Sequence, residues 1–385
     1  MSNSESNRLA PELIRACKSR QSRVRQQFED QGIDGFLVTS HHDIQYLTDF
    51  VGDESWVLVH GDGLDFVTDT RYEEELKAWE GTGVGNPFMG IRHRLPVAVT
   101  ALCQERGIKR LGIQAEYVSI ASGNSLREAL HELEVVETTA IISSLRTIKD
   151  APEIEQLEKA LRLQEQALRM ALGALHMGMT EYEFAAELVY RMIQLGARES
   201  SFGPIIASGA GSAIPHYLPQ NVKITEGTLL IDWGAYHGWY SGDLTRTYGV
   251  VTFPEKIKEI YPIVLEAQMS AIEAIAPGVV CAEIDAVARK VITDAGYGEY
   301  FNHGLGHGLG IEVHEGPYFN NLETDVVLKP GMVLTVEPGI YLSGVGGVRI
   351  EDDIVVTENG CRVLSDFPKD IESAVIEPAT SGAIA

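Results

Sequence analysis

The chain has 385 residues, with 31 Lys+Arg against 55 Asp+Glu, a formal charge of −24 and 44% hydrophobic residues. So acidic a balance disfavours nucleic acid and anionic membrane surfaces as partners, because proteins bind those with clustered Lys and Arg. The length allows two or three domains and a core that needs no disulfide or metal staple, so any metal is expected to serve chemistry.

The opening stretch MSNSESNRLAPELIRA lacks the basic flank and the apolar run of about 7–15 residues of a secretory signal. No segment approaches the roughly 18 apolar residues of a membrane span. Cys17, Cys103, Cys281 and Cys361 are scattered, with no C-x-x-C pair. A cytoplasmic protein with reduced thiols is expected.

Residues 1–145 read as a small α/β domain. GFLVTS, SWVLVHG and LDFVTDT have strand-like length and β-branched content, and the helical RYEEELKAW follows them. The pair His41-His42 in HHDIQYLTDF reads as polar loop surface rather than a site. At Asp150 the character changes to one long helix, DAPEIEQLEKALRLQEQALRMALGALHMG, with Pro152 near its start. A second domain over 146–370 follows, and residues 371–385, rich in small side chains, are expected to form a flexible tail without chemistry.

The second domain carries an internal repeat. Gly178, Glu183 and Gly196 bracket one helical segment, and Gly278, Glu283 and Gly296 bracket another at the same spacing. Thr180 with Glu183 makes a capping-box start, and Gly196 and Gly296 are natural helix stops. Each copy leads to a glycine turn, an apolar strand and an acid, Asp232 in GTLLID and Glu337 in GMVLTVE. A duplicated α/β half with pseudo-twofold symmetry is expected.

In LLIDWGAYHGWYSGDLTRTYGV, a turn at His237-Gly238 would set Asp232 directly opposite Asp243, with Cβ atoms about 4.5–5.5 Å apart. In VLTVEPGIYLSGVGGVRIEDD, a bend centred on Gly344 would set Glu337 opposite Glu351. Like charges paired on core strands repel and are costly to bury unless a cation or shared proton lies between them. Four carboxylates converging about a pseudo-twofold axis are balanced most simply by two divalent cations. Between them lies HGLGHGLGIEVHEGP, with His303, His307 and His314 in a run too rich in glycine for a helix. It is expected to be extended or looped, with IEVH as a strand whose Glu312 and His314 share a face.

Taken together, these motifs resemble the pita-bread metallopeptidase family, which includes aminopeptidase P, prolidase and methionine aminopeptidase. The N-terminal FLVTSHHDIQYLTDF and FVTDTRYEEEL look like the creatinase-type domain of the proline-specific branch. The resemblance implies an α/β (α+β) chain, with a small N-terminal domain and a duplicated pita-bread catalytic domain. It also implies metal ligands at Asp232, Asp243, His307, Glu337 and Glu351, with Asp243 and Glu351 bridging two ions. Asp232 would complete one site, and His307 with Glu337 the other. Accessory histidines fall on His216, His303 and His314, and supporting residues on Arg349 and Tyr341, which would orient Asp232. Trp233 departs from the smaller residue that relatives often carry after the first Asp.

The activity so implied is hydrolysis of the bond before proline in short proline-containing peptides, by a hydroxide shared between the metals. Glu337 would shuttle the proton, His216 and His314 would assist the intermediate and leaving nitrogen, and His303 would shape the pocket for the residue after the cleaved bond. The oxygen-rich donor set favours Mn2+, with Co2+, Fe2+ or Zn2+ compatible. A homodimer is expected by resemblance alone. The rivals are a metal-dependent hydrolase or lyase of a small metabolite, and a metal-free creatinase-like enzyme or binding module, which the five unsubstituted ligands disfavour. Aminopeptidase and dipeptidase are not separated at this level.

Overall fold

The three apolar runs of the N-terminal region become strands because their β-branched residues fill a pleated, buried surface. The computed structural model describes residues 9–90 and 95–379 and divides at Arg146/Thr147 into two units. In the first unit, strands β1 (Gly35–Val38), β2 (Trp56–His60), β3 (Gly63–Thr68), β4 (Asn86–Met89), β5 (Arg110–Gln114) and β6 (Glu134–Thr138) form one mixed sheet, ordered β4-β3-β2-β1-β5-β6. Helices α1 (Pro11–Gln26), α2 (Phe28–Gln31), α3 (His41–Thr48), α4 (Glu73–Leu76), α5 (Leu95–Arg106), α6 (Ile120–Ala129) and α7 (Ser143–Arg146) complete it.

HHDIQYLT is a helix, not a loop. Ser40 caps it by accepting from Asp43 N, and the buried Asp43 is held by Arg146 at 2.9 Å and Gln114 at 2.6 Å. The one charge of this segment therefore serves packing. RYEEELKAW is helical only in pieces, a four-residue α4 flanked by two 3-10 turns.

The second unit runs α8 (Ala151–Ala174), α9 (Glu181–Gln194), β7 (Glu199–Ser200), β8 (Ile205–Ser208), β9 (Gly227–Trp233), β10 (Ala235–His237), β11 (Tyr240–Ser241) and β12 (Leu244–Val250). It continues with α10 (Glu255–Ala274), α11 (Cys281–Asp294), β13 (Gly306–Gly308), β14 (Glu315–Phe319), β15 (Val333–Val336), β16 (Gly339–Leu342), β17 (Gly346–Arg349), β18 (Asp352–Thr357), β19 (Gly360–Val363) and β20 (Val375–Ile376). Asp150 and Thr180 each close a capping box, with Glu153 and Glu183. Gly196 and Gly296 end their helices at φ 104° and 87°, where a side chain would be strained.

The repeat is structural. Helix pair α8-α9 is matched by α10-α11, and the run β8-β9-β12 in one sheet is matched by β13-β15-β18 in the other. Residues 371–379 depart from the expected flexible tail: Val375 and Ile376 pair parallel with Gly249 and Val250, and Ala379 N bonds Leu175 O at 3.0 Å. Residues 380–385 of that tail lie outside the described residues. Among the described residues, no helix is long and apolar enough to cross a membrane.

Candidate metal centre

Two hairpins carry the four acids. In the first, the turn falls on Gly238-Trp239 rather than His237-Gly238, with His237 paired to Tyr240. Both turn residues have positive φ, 54° and 71°, the two-residue geometry that matches strand twist. The Arg198 guanidinium lies 3.8 Å over the Trp239 ring. Moving the turn by one residue moves each partner by two, so Asp232 faces Thr245 and not Asp243. Asp243 and Thr245 alternate onto one face, so the two acids are diagonal neighbours. The second hairpin has the expected register: Val336 pairs with Asp352 and Gly339 with Arg349, leaving Glu337 and Glu351 opposed between them.

All nine predicted residues other than Tyr341 line one cavity of about 440 Å³: Asp232, Asp243, Glu337, Glu351, His216, His303, His307, His314 and Arg349. Tyr341 stands behind it and receives Arg349 Nη1 at 3.0 Å. Arg349 Nη2 reaches Asp232 Oδ2 at 2.5 Å, so Tyr341 touches Asp232 only through the guanidinium.

His307 occupies β13, where Gly306 and Gly308 let neighbouring backbones close in; a Cβ on Gly306 would lie 2.1 Å from Thr335 O. Its Nδ1 is 3.1 Å from Gly308 O. A carbonyl only accepts, so Nδ1 carries the hydrogen and Nε2 keeps a lone pair. Burial, then the neighbouring His314, lowers the imidazole to about 3, so the ring is neutral. That lone pair faces Glu337 Oε1 at 3.4 Å and Asp243 Oδ2 at 3.6 Å.

Burial pushes all four acids upward, and neighbouring acids add to it for Asp243, Glu337 and Glu351. Asp243 and Glu351 rise well above the ordinary carboxylate range, through burial first and then the other acids. Glu337 rises to about 8, through burial. Asp232 rises less steeply because Arg349 opposes its burial. The ligand atoms of Asp243, His307 and Glu351 lie within 4.8 Å of one another. Asp232 Oδ1 and Glu351 Oε1 are buried with no hydrogen-bond partner among the described residues. Buried acceptors left open around an electron-rich centre fit divalent cations, which supply what the protein withholds.

The other histidines divide by what their nitrogens do. His303 Nδ1 meets Gly304 O at 2.7 Å and Nε2 meets Tyr341 OH at 2.9 Å, so only its ring is offered to the cavity. His216 and His314 are exposed, and neither side chain makes a hydrogen bond among the described residues. IEVH is a bend rather than a strand; the strand is β14, starting at Glu315, which leaves His314 beside His307 at 4.2 Å between rings.

Sequence reasoning missed Thr245, Thr335 and Arg246. Thr245 Oγ1 donates to Glu351 Oε2 at 2.7 Å and accepts from Arg349 Nε at 3.0 Å. Thr335 Oγ1 receives His307 N at 3.1 Å and reaches Glu337 Oε1 at 3.4 Å. Their signal was the two-residue spacing from Asp243 and Glu337, which puts each on the ligand's face. Arg246, on the opposite face, binds Asp352 at 2.8 Å and Phe367 O at 2.7 Å, clamping β12 to β18. Trp233 also points away: it donates to Gln164 O at 2.9 Å and packs on Phe367, so its size does not reach the acids.

A family model described as Metallopeptidase family M24 matches residues 155–358, and one described as Creatinase/Prolidase N-terminal domain matches residues 20–148. An uncharacterized peptidase of Bacillus subtilis is 39% identical over 91% of this chain and 98% of its own. The Xaa-Pro dipeptidase of Pyrococcus horikoshii is 43% identical over 69% of this chain and 75% of its own. Among solved structures, an Xaa-Pro dipeptidase from Bacillus anthracis matches with a TM-score of 0.88 at 38% identity, covering 94% of this chain and all of that one. An X-Pro aminopeptidase from Thermotoga maritima matches at 0.84 and 34%, over 90% and 98%.

Proposed function

Because the chain belongs to metallopeptidase family M24, with a creatinase/prolidase-type domain ahead of the catalytic one, we propose that it is a two-metal Xaa-Pro peptidase hydrolysing the bond before proline. The observation that carries this reading is the neutral His307, whose lone pair faces two carboxylate oxygens within 3.6 Å. In this reading Asp232, Asp243, His307, Glu337 and Glu351 would hold the ions. Bound there, the ions would supply Lewis acidity that polarises the carbonyl and eases deprotonation of water.

The chain's own residues do the rest. Glu337 has the most exposed side chain of the four acids, at 17%, which suits it to exchange a proton with bound substrate. His216 and His314 have free ring nitrogens at the cavity, so they can donate to the developing oxyanion and to the leaving proline nitrogen. Arg349 fixes Asp232, Thr245 fixes Glu351, and His303 presents its ring where the proline would lie.

The finer readings belong to the same proposal. Oxygen donors favour Mn2+, four cysteines that form no disulfide among the described residues suit the cytoplasm, and a homodimer follows from resemblance. Named relatives include both dipeptidases and an aminopeptidase. The test is to assay the manganese-loaded protein on an Xaa-Pro dipeptide and an Xaa-Pro tripeptide. Cleavage of the dipeptide alone makes it a prolidase, cleavage of the tripeptide makes it an aminopeptidase, and cleavage of neither overturns the reading.

A further inference from the structure

His216 reaches the cavity from a segment with no regular structure of its own. It lies between the 3-10 turn Gly209–Ala213 and β9, and its imidazole makes no hydrogen bond among the described residues. Its position is therefore set by whatever holds the backbone on either side. Glu181, the first residue of α9 and wholly buried, accepts four hydrogen bonds. Its Oε1 receives Ser208 N at 2.8 Å and Ser208 Oγ at 2.6 Å; its Oε2 receives Tyr217 OH at 2.9 Å and Gln220 N at 3.0 Å. One carboxylate thus closes the segment 208–220 onto the start of a helix, with His216 inside the loop.

The internal repeat supplies a control. The residue matching Glu181 in α11 is Cys281, whose N–H bonds Val326 O at 2.9 Å just as Glu181 N bonds Val222 O at 2.9 Å. Helix start and backbone bond form equally well without a carboxylate, so the acid is needed for its side-chain bonds, and all of those go to the segment that carries His216. The second half holds its own cavity histidine from a different position. Asp285, buried, receives Leu305 N at 3.1 Å and pairs with Arg289, which donates to His303 O at 2.8 Å. The α9 counterpart of Asp285 is Ala185.

We propose that Glu181 is a positioning residue for the hydrolysis, stapling residues 208–220 so that His216 meets the substrate at the cavity. The proposal rests on the reading that His216 acts on an Xaa-Pro peptide. Glu181→Asp keeps the charge and shortens the reach by one methylene. It is expected to lower kcat on an Xaa-Pro dipeptide by about ten- to a hundredfold, the cost of a misplaced catalytic group. KM and metal content should stay within about twofold, while amide exchange across residues 214–222 speeds up by about tenfold. Glu181→Gln, which keeps the reach and one acceptor oxygen, should recover part of the lost kcat. A lower Tm with kcat and loop exchange unchanged would make Glu181 merely structural and overturn the proposal. If the wild type cleaves no Xaa-Pro peptide, the functional reading fails separately, and loop exchange alone decides the role of Glu181. Should Glu181→Asp not fold, Tyr217→Phe, which cuts one tie from the loop side, is measured in the same way.

Discussion

His307 shows how one ring can specify a cation. With its hydrogen committed to Gly308 O, the opposite nitrogen is a lone pair pointed at carboxylate oxygens. Only a metal or a carboxylic proton resolves that contact. Asp243→Asn should therefore remove metal binding and peptide hydrolysis while leaving the metal-free chain as stable as wild type or more so, since it deletes one of four repelling acids. Calorimetry of the metal-free proteins together with metal titration checks both halves of the expectation. His314, exposed and unbonded, sits at the other extreme. His314→Ala should cut kcat by about a hundredfold, as loss of one oxyanion donor does elsewhere, with metal content intact; unchanged kcat would remove it from the chemistry. Asp243 was legible in the sequence because hairpin spacing brings it to the face of Asp232, though diagonally rather than directly opposite; His307 and His314 were legible only through the family motif HGLGHGLGIEVHEGP. Thr245 and Thr335 were not, since a threonine in a strand is ordinary until a carboxylate is found against it.

At the scale of elements, the two hairpins contrast. The second bends where its glycines predict. The first turns one residue later because Trp239 takes a left-handed conformation that nothing in its identity announces. The face of Asp243 was nonetheless read correctly, since a shift of two residues on a strand preserves the side. Close approach explains the rest of this hairpin: a Cβ on Gly234 would lie 2.0 Å from Gly242 O. Gly234→Ala should push the segment between β11 and β12 that carries Asp243 away and weaken metal affinity by about tenfold or more, the scale of a disturbed supporting residue, which isothermal titration would measure. The stretch IEVH misled for a related reason: its alternation is that of a strand, but Gly310 and the contacts of the loop make it a bend. The repeated helices, by contrast, were legible because the capping boxes of α8 and α9 and the glycine stops at Gly196 and Gly296 are local devices that tertiary packing does not overrule.

For the whole molecule, the centre links folding, metal and pH. In the metal-free chain the four acids are raised, so their contribution to stability is fully present below the unfolded value near 4 and is lost as pH rises through the folded values, about 8 for Glu337. His307 and His303, lowered to about 3 and 4, act oppositely: their contribution is present above the unfolded value near 6.5 and is lost on further acidification. The metal-free protein should therefore gain thermal stability as pH falls from 8 to about 6.5, and gain it less steeply from there toward 4, where the two histidines offset part of what the acids contribute. Metal loading should erase the upper slope, because bound cations hold the acids ionised. Melting curves in chelator and in manganese across that range would show it. Of the 55 acids in the chain, these few decide whether it is a catalyst. The most direct measurement is Xaa-Pro dipeptide hydrolysis by the chelator-stripped protein as manganese is added back, with metal per chain determined at each step. Activity that is absent without metal and reaches its plateau at about two ions per chain is the predicted result; undiminished cleavage by the stripped protein would contradict it.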